Sequence, residues 1–570
     1  MDHYKKTTRM ALGEQKAPLV LKNANVVCVF TNEIVRADVA ICDGFVVGVG
    51  TYTGEREIDL DGKFVCPGFI DAHLHLESTL VHPGELIRQA ALKGTTTFIV
   101  DPHEAANVSG KAGIDYILDE TADSPANVYV MVPSCVPAGP FEDNGYTLSA
   151  EDMRPYLDNP RVLGLGEVMD CGAVLSCQDS MMQKLALFES KIIDGHAGYL
   201  GEKETGCYAM AGIRTDHECC TYADALRELR AGMHVLVREG TAAKNLEAII
   251  SGVVKDGLPC HQLAFCTDDK HIEDIQSQGH IGYNVKKAIS LGLSPIEAVK
   301  VASLYPAIHY GLRQLGAVAP GYQADLLVLS DLEQVRIEQV YHKGVLVEQG
   351  DLPAHNVPPA LLGTVHIALK SEDELKLPLT CATARVIEAV EGEILTKEHL
   401  ATVGVKDGFF APDSVYQKIA VLERHHATGK IGLGIVTGFG LTGGAIASTV
   451  GHDSHNLIVV GDNDHDMFRA IEALKACGGG YAVVQAGKEP TVLPLEVMGL
   501  ISTWPHEAVK ERLSLMLALA RQMGVPATID PFITLSFLAL PVIPELRLTP
   551  RGLFHVKSGR FVPVDTGKTV

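Results

Sequence analysis

The stretch PGFIDAHLHLES, residues 67 to 78, follows an apolar run with two histidines one residue apart, His73 and His75. On a strand, residues i and i+2 leave the same face, so both imidazoles point one way, about 7 Å apart along the backbone. Two neutral imidazoles at that spacing can grip one metal ion. Alone, H-x-H reads equally well as a strand end with two solvated histidines. Donors further along the chain carry more weight. Glu167 ends RVLGLGEV, His196 lies in IIDGHAG, His217 in GIRTDHE, and LAFCTDD ends on Asp268 and Asp269.

Six donors, His73, His75, Glu167, His196, His217 and Asp268, are too many for one ion. They suit two divalent ions about 3.5–4 Å apart with Glu167 bridging. Such a pair lowers the pKa of a shared water toward about 7, giving hydroxide at neutral pH. Asp268 would ligate one ion and, within hydrogen-bond reach of that water, take its proton as general base. A mixed nitrogen and oxygen set without thiolate leaves Zn, Mn and Fe open.

These donors need a frame that brings distant chain segments to one rim. Between residues 67 and 312 eight short apolar runs alternate with helical stretches: GFIDAHLHL, GTTTFIVDPHE, NVYVMVPSCVP, RVLGLGEV, IIDGHAG, GIRTDHE, HVLVREG and LAFCTDD. Near-continuous hydrophobic runs are the signature of parallel strands buried on both faces. Eight of them with helical crossovers predict an α/β fold, a (β/α)8 barrel whose site lies at the C-terminal ends of the strands. A doubly wound sheet is the alternative. TYADALRELRAGM predicts a helix opened by a Thr221–Asp224 cap, with Leu226, Leu229 and Met233 on its apolar face.

Residues 1–66 and 313–352 share short β-type runs separated by Asn and Gly turns, which predicts a small antiparallel sheet, one flanking β-sandwich completed from both ends of the barrel. The Pro-rich DLPAHNVPPALLG, 351 to 363, marks a boundary. Beyond it, residues 353–570 are Gly-rich with strands and at least one clear helix, a separate α+β domain. With 570 residues the chain exceeds a single core. A net charge of −22 argues against nucleic acid and against an anionic membrane surface. No run approaches a membrane span, and the N-terminus lacks a signal-peptide core. Thirteen scattered cysteines without C-x-x-C read as reduced thiols in a cytoplasmic protein.

GFIDAHLHLES before a barrel, histidines after the fifth and sixth runs and an aspartate after the eighth resemble the amidohydrolase superfamily. GYQADLLVLSDLEQVRIEQVYHKGVLV resembles that superfamily's returning sandwich strands. VDPHEAANVSG, DGHAGYLGEKETGCYAMAGIRTDHECCTYADAL, FCTDDKHIEDI, GHDSHNLIVVGDNDHDM and LSFLALPVIPELRLTPRGL narrow the resemblance to the bacterial-type adenine deaminases, over nearly the whole chain. That resemblance implies hydrolysis of adenine to hypoxanthine and ammonia in purine metabolism. It further implies two divalent ions per chain, Mn(II) or Fe(II) with Zn possible, and a homo-oligomer, a dimer. Cyclic amidases of the same superfamily bridge their metals with a carboxylated lysine, whereas GLGEVMD offers Glu167. Zinc nucleobase deaminases need P-C-x-x-C, which is absent here. A barrel scaffold without catalysis would be expected to have lost ligands, yet all six stand in place.

Attack at C6 of a purine requires protonation of N1, and a carboxylic acid beside the ring can supply it. Glu77, two residues past His75 and read on the same strand face, is the candidate; a helix first-turn carboxylate is the alternative. In VDPHE, Asp101 and Glu104 are candidates to position substrate and His103 to join an accessory metal, against a plain loop turn after Pro102. Arg238 and Glu239, after the seventh run, either contact the purine or pair with each other. His452 and His455 in GHDSHN either reach the mouth of the barrel or, the reading sequence favours, lie on a solvated loop.

Overall fold

The computed structural model describes residues 2–197, 199–241, 243–350, 357–390 and 395–567. All eight runs of the middle region are strands: β1 (Phe69–Leu74), β2 (Thr95–Val100), β3 (Asn127–Val132), β4 (Val162–Val168), β5 (Ile192–Gly195), β6 (Thr215–Asp216), β7 (His234–Arg238) and β8 (Leu263–Cys266). Every residue of β1, β2 and β8 is buried, as the unbroken apolar runs demand. The strands hydrogen-bond in sequence order, β1 to β5 in one parallel sheet and β6 to β8 in another. Between the sheets, the Arg214 amide donates to the Ile193 carbonyl at 3.0 Å. On the other side, the Asp268 amide donates to the His73 carbonyl at 2.9 Å, and Leu74 and Asp268 form a parallel bridge. A doubly wound sheet reverses its strand order at a switch point. No reversal occurs along these eight strands, so that alternative falls.

The two flanks of this region meet in one eight-stranded sheet. Leu326–Asp331 pairs antiparallel with Phe64–Pro67, Leu326 opposite Pro67. The long first strand, Ala17–Cys28, is bulged between Leu21 and Ala24. It pairs in parallel with both Gly54–Asp59 and Phe64–Pro67, so the wholly antiparallel sheet expected from the turns is corrected to a mixed one. Asn and Gly turns mark where strands end; pairing direction is chosen by contacts distant in sequence.

After residue 357 a second eight-stranded sheet forms, with Tyr416–Leu422, Leu457–Gly461, Gly444–Ser448 and Gly480–Gln485 at its centre. Helix Asp464–Cys477 covers one face, burying Met467, Ala470, Ile471 and Leu474 against Ala445, Leu457 and Val459. The Asn463 side chain caps its start by accepting from the Asp466 amide, and Gly478 at φ 81° ends it. The boundary expected at 352/353 lies outside the described residues. One hydrophobic cluster joins Leu80, Val81 and Leu86 of the strand region to Leu361, Val497, Leu513 and Phe532 of the C-terminal region. There the Ser502 amide donates to the Leu80 carbonyl at 2.9 Å. The C-terminal region is therefore seated on the chain that leaves β1.

Helix Tyr222–Arg230 carries the expected cap, the Thr221 side chain accepting from the Asp224 amide. Its buried face differs: Ala225 and Glu228 are fully buried while Leu226 and Leu229 are only half-buried. Glu228 turns inward to accept from Cys219 Sγ at 3.0 Å, close to Asp216. Burial, and then the Asp216 charge, push its carboxyl up to about 10. The folded chain thus keeps a proton there that the unfolded chain releases near pH 4.5. Stability from this group falls as pH rises from about 5 toward 10, because the unfolded state binds fewer protons. Glu228→Gln should flatten that slope and raise the melting midpoint at pH 8, measured by calorimetry from pH 6 to 9. An unchanged slope would refute the protonated carboxyl.

Candidate metal centre

Most of the donors are placed by carboxylates in the layer beneath them, and His75 by a backbone carbonyl. Asp71 of β1 accepts from the His73 amide at 3.3 Å, and from the Thr267 amide and hydroxyl at 3.1 and 2.6 Å. It ties the β1 donors to the start of the Asp268 loop. Asp101 Oδ2, just past β2, accepts from the Glu167 amide at 2.8 Å, and the Asp101 carbonyl accepts from His75 Nδ1 at 2.9 Å. A Cβ at Gly166 would collide with that Oδ2, which is why glycine precedes Glu167. Asp194 of β5 accepts from the Thr215 hydroxyl at 2.8 Å and from Tyr310 at 3.0 Å. Asp216 of β6 accepts from the amides of Ala197, Glu218 and Cys219, holding the chain just past His196 and just past His217.

Upon that layer the six donors converge. Glu167 Oε1 lies 3.8 Å from His73 Nε2 and 3.4 Å from His75 Nε2. Its other oxygen lies 2.8 Å from His196 Nδ1 and 3.3 Å from His217 Nε2. Asp268 Oδ1 stands 3.2 Å from His75 Nε2 and 3.9 Å from His73 Nε2. Asp268 has φ 57°, a left-handed conformation that aspartate tolerates better than most residues and that turns its carboxylate into the centre. Its Oδ2 accepts from Arg238, which also bonds Glu218.

Burial would raise the Glu167 carboxyl, but the imidazoles of His103, His196 and His217 beside its oxygens outweigh it and hold the group well below the carboxylate range. Asp268 is likewise held down against burial, chiefly by Arg238. Burial, together with His217, drives His73 well below its ordinary value and keeps it neutral. His75 goes the other way: burial opposes its charge, while Asp268 and Glu167 prevail and raise it.

Several buried atoms have no hydrogen-bond partner, among them His73 Nε2, His196 Nε2 and both ring nitrogens of His103. An orphaned buried polar atom costs about 1–3 kcal/mol, so a set of them aimed at one space is expected to serve a ligand. Among the described residues, the donor trios whose ligand atoms all lie within 4.8 Å of one another include His73–His75–Glu167, His73–His217–Asp268 and Glu167–His196–His217. Imidazole and carboxylate donors at such separations fit divalent transition metals.

The remaining candidates fall in different places. His103 joins the centre, Nδ1 3.2 Å from Glu167 Oε1 and Nε2 3.6 Å from Asp453. Glu104 is buried beside it, accepting from the Ser78 hydroxyl at 2.9 Å. Asp101 acts through the Glu167 amide. Glu77 is not on the strand face where sequence put it: β1 ends at Leu74 and Glu77 opens a 3-10 turn, Glu77–Thr79. Its Oε1 accepts from the Ala105 amide at 3.0 Å, and it is not among the residues lining the central cavity. Arg238 and Glu239 do not pair with each other. Arg238 enters the centre, while Glu239 turns to Lys287 at 2.8 Å because successive residues leave a strand on opposite faces.

The solvated loop expected for His452 and His455 is corrected. Both are buried, at 7% and 0% exposure. His452 Nδ1 lies 3.5 Å from Glu104 and Nε2 3.7 Å from Asp269. The fully buried Arg424 holds the loop by donating to the carbonyls of His455, Thr449 and Met498. Sequence reasoning missed Asp71, Asp194, Asp216 and Glu218, although D-x-H or D-H precedes three of the histidines. It also missed Asp453, although it stands beside His452 in the GHDSHN stretch already singled out.

Residues 64–347 match the amidohydrolase family, which defines the class of the fold and of the centre. Residues 393–560 match the adenine deaminase C-terminal domain. An adenine deaminase of Desulfitobacterium hafniense (strain Y51) is 52% identical over 559 residues, 98% of each chain. One of Clostridium acetobutylicum is 44% identical, covering 97% of this chain and 98% of its own. The chain belongs to the adenine deaminase branch of the amidohydrolase family. Among solved structures, one titled as an adenine deaminase is 16% identical, covers 58% of this chain and 99% of its own at a TM-score of 0.46, and adds nothing to the fold described above.

The orphaned imidazoles yield a direct expectation. Stripping divalent metal with a chelator should lower the melting midpoint by several degrees, and restoring Mn(II) should recover it, since a ligand at 100 times its dissociation constant contributes about 2.7 kcal/mol. Identical melting curves with and without metal would count against occupation of this centre.

Proposed function

We propose that the chain hydrolyses adenine to hypoxanthine and ammonia at two divalent ions, Mn(II) or Fe(II) with Zn also compatible. His73, His75, Glu167, His196, His217 and Asp268 would hold them. In this reading β1 to β8 close as a (β/α)8 barrel over 67–312, flanked by a β-sandwich from 1–66 and 313–352 and followed by an α+β domain, 353–570. One observation carries it: the two Glu167 oxygens face separate sets of imidazoles, so that Glu167 with those histidines would hold two divalent ions rather than one. The adenine deaminases that match along the whole chain supply the substrate.

Two ions, when bound, supply Lewis acidity that brings the pKa of a shared water toward about 7. The protein's own groups do the rest. Asp268, its Oδ2 fixed by Arg238, turns Oδ1 inward to take the proton of the attacking water and deliver it to the departing amino group. As C6 becomes tetrahedral, N1 gains a proton from Asp269, which lines the cavity and shares the Ser78 hydroxyl with the buried Glu104, and the second proton of the attacking water returns to that carboxylate when the amino group leaves. Burial raises Glu104 to about 7, so it can hold a proton at neutral pH. Asp101, through the Glu167 amide, and Asp216, through Ala197, keep the donors in register.

Ammonia release should be measured across a panel of purines after reconstitution with Mn(II), Fe(II) or Zn(II). Adenine should be the best substrate, and release from cyclic amides but not adenine would overturn the reading. Asp268→Asn should cut turnover by about three orders of magnitude or more, in line with losses on removing a catalytic proton-transfer group. Near-parental activity would eliminate its role. Glu167→Gln should weaken both rate and metal content, and two ions retained per chain would speak against bridging.

A further inference from the structure

The cavity above the donors has two unlike walls. On the strand side its lining is imidazole, carboxylate and guanidinium, with Met169 the single apolar side chain. The opposite wall comes from the C-terminal region: beside His452 and Asp453 it carries an apolar surface of Phe537, Leu540 and Ile543, each under 10% exposed. These three form a hydrophobic cluster of their own at the end of helix Pro531–Phe537. Phe537 stacks on the His452 ring, centroids 4.7 Å apart and planes at 23°, and the Ser536 hydroxyl accepts from the His452 amide at 3.3 Å.

A fully buried arginine fixes the backbone of that wall. Arg547, 0% exposed, donates from Nη1 to the Phe537 carbonyl at 2.8 Å, from Nε to Ile543 at 2.7 Å, and from Nη2 to Pro544 at 2.9 Å. Its planar fork thus clamps both ends of the segment that lines the cavity. A lysine, a flexible point charge, cannot hold three carbonyls in that geometry. The Leu548 amide adds a bond to the Leu538 carbonyl at 3.0 Å.

We propose that Phe537, Leu540 and Ile543 are the surface on which the flat face of the substrate base lies, and that Arg547 is the positioning residue that holds this surface over the metal centre. The inference rests on the purine reading above and deepens it. A heterocyclic base has polar edges and apolar faces. The strand side offers polar groups for the edges, while an apolar partner for a face comes mainly from this one segment.

The test uses full-length, metal-loaded protein and two variants, Leu540→Ala and Arg547→Lys. KM and kcat are measured for adenine, equilibrium binding of hypoxanthine by calorimetry, and metal content by elemental analysis. Lost apolar contacts in a binding pocket are worth about 10–200-fold. Each variant should therefore raise KM and the hypoxanthine dissociation constant at least tenfold, with kcat within threefold and metal unchanged. KM within twofold of the parent in Leu540→Ala, or a fall in kcat at constant KM, would overturn the proposal. Should Arg547→Lys fail to fold, Leu540→Ala decides alone. Should the parent release no ammonia from adenine, the activity reading falls. The wall then stands if Leu540→Ala weakens hypoxanthine binding tenfold, and falls if binding is equal or absent in both proteins.

Discussion

Everything at the centre depends on keeping one carboxylate, Glu167, ionised and correctly turned while fully buried. Burial alone would protonate it, and three imidazoles close to its oxygens reverse that outcome. Charge is insufficient without orientation, because the two oxygens must face different donors. Asp101 supplies orientation by receiving the Glu167 amide, and it can do so only because Gly166 leaves room. A carboxylate so held is surrounded by imidazoles with orphaned nitrogens, which is a binding site for cations rather than a settled core.

The strand framework transmits this constraint around the rim. Asp71, Asp194 and Asp216 accept bonds from an adjacent strand or the loop beyond it, and Asp101 reaches past β3 to the Glu167 amide of β4, so the donors at the ends of β1, β4, β5 and β6 are tied together through backbone amides and hydroxyls. Burying four further carboxylates raises the electrostatic cost of the fold. Asp71, Asp101 and Asp194 are all pushed to about 7. That cost is tolerable because every one of them accepts hydrogen bonds, and it gives a precision of placement that loose side chains on loops lack.

The C-terminal region completes the cavity instead of standing apart from it. Two buried arginines serve it in the same manner: Arg424 ties the His455 carbonyl to those of Thr449 and Met498, and Arg547 gathers those of the Phe537–Pro544 segment. Guanidinium donors spent on carbonyls fix irregular backbone where no sheet or helix is available to satisfy it. Polar chemistry comes chiefly from one region and apolar shape from the other, with a shared hydrophobic cluster holding them face to face.

Much of the centre was legible in the sequence, because a parallel strand must read as an apolar run and its functional residue must follow that run. His73, His75, Glu167, His196, His217 and Asp268 were found on that basis. Local pattern erred where an element stopped early or turned: Glu77 lies beyond the last residue of β1, and Arg238 and Glu239 point to opposite sides. It was silent wherever two distant segments meet. Whether GHDSHN is solvated or buried against Glu104, whether Phe537 faces water or a cavity, and which way two strands pair are decided by contacts hundreds of residues apart. The sequence by itself determined which side chains can bind a cation and on which strands they stand. Only the tertiary structure decided what closes over them, because burial and long-range packing have no local periodicity to read.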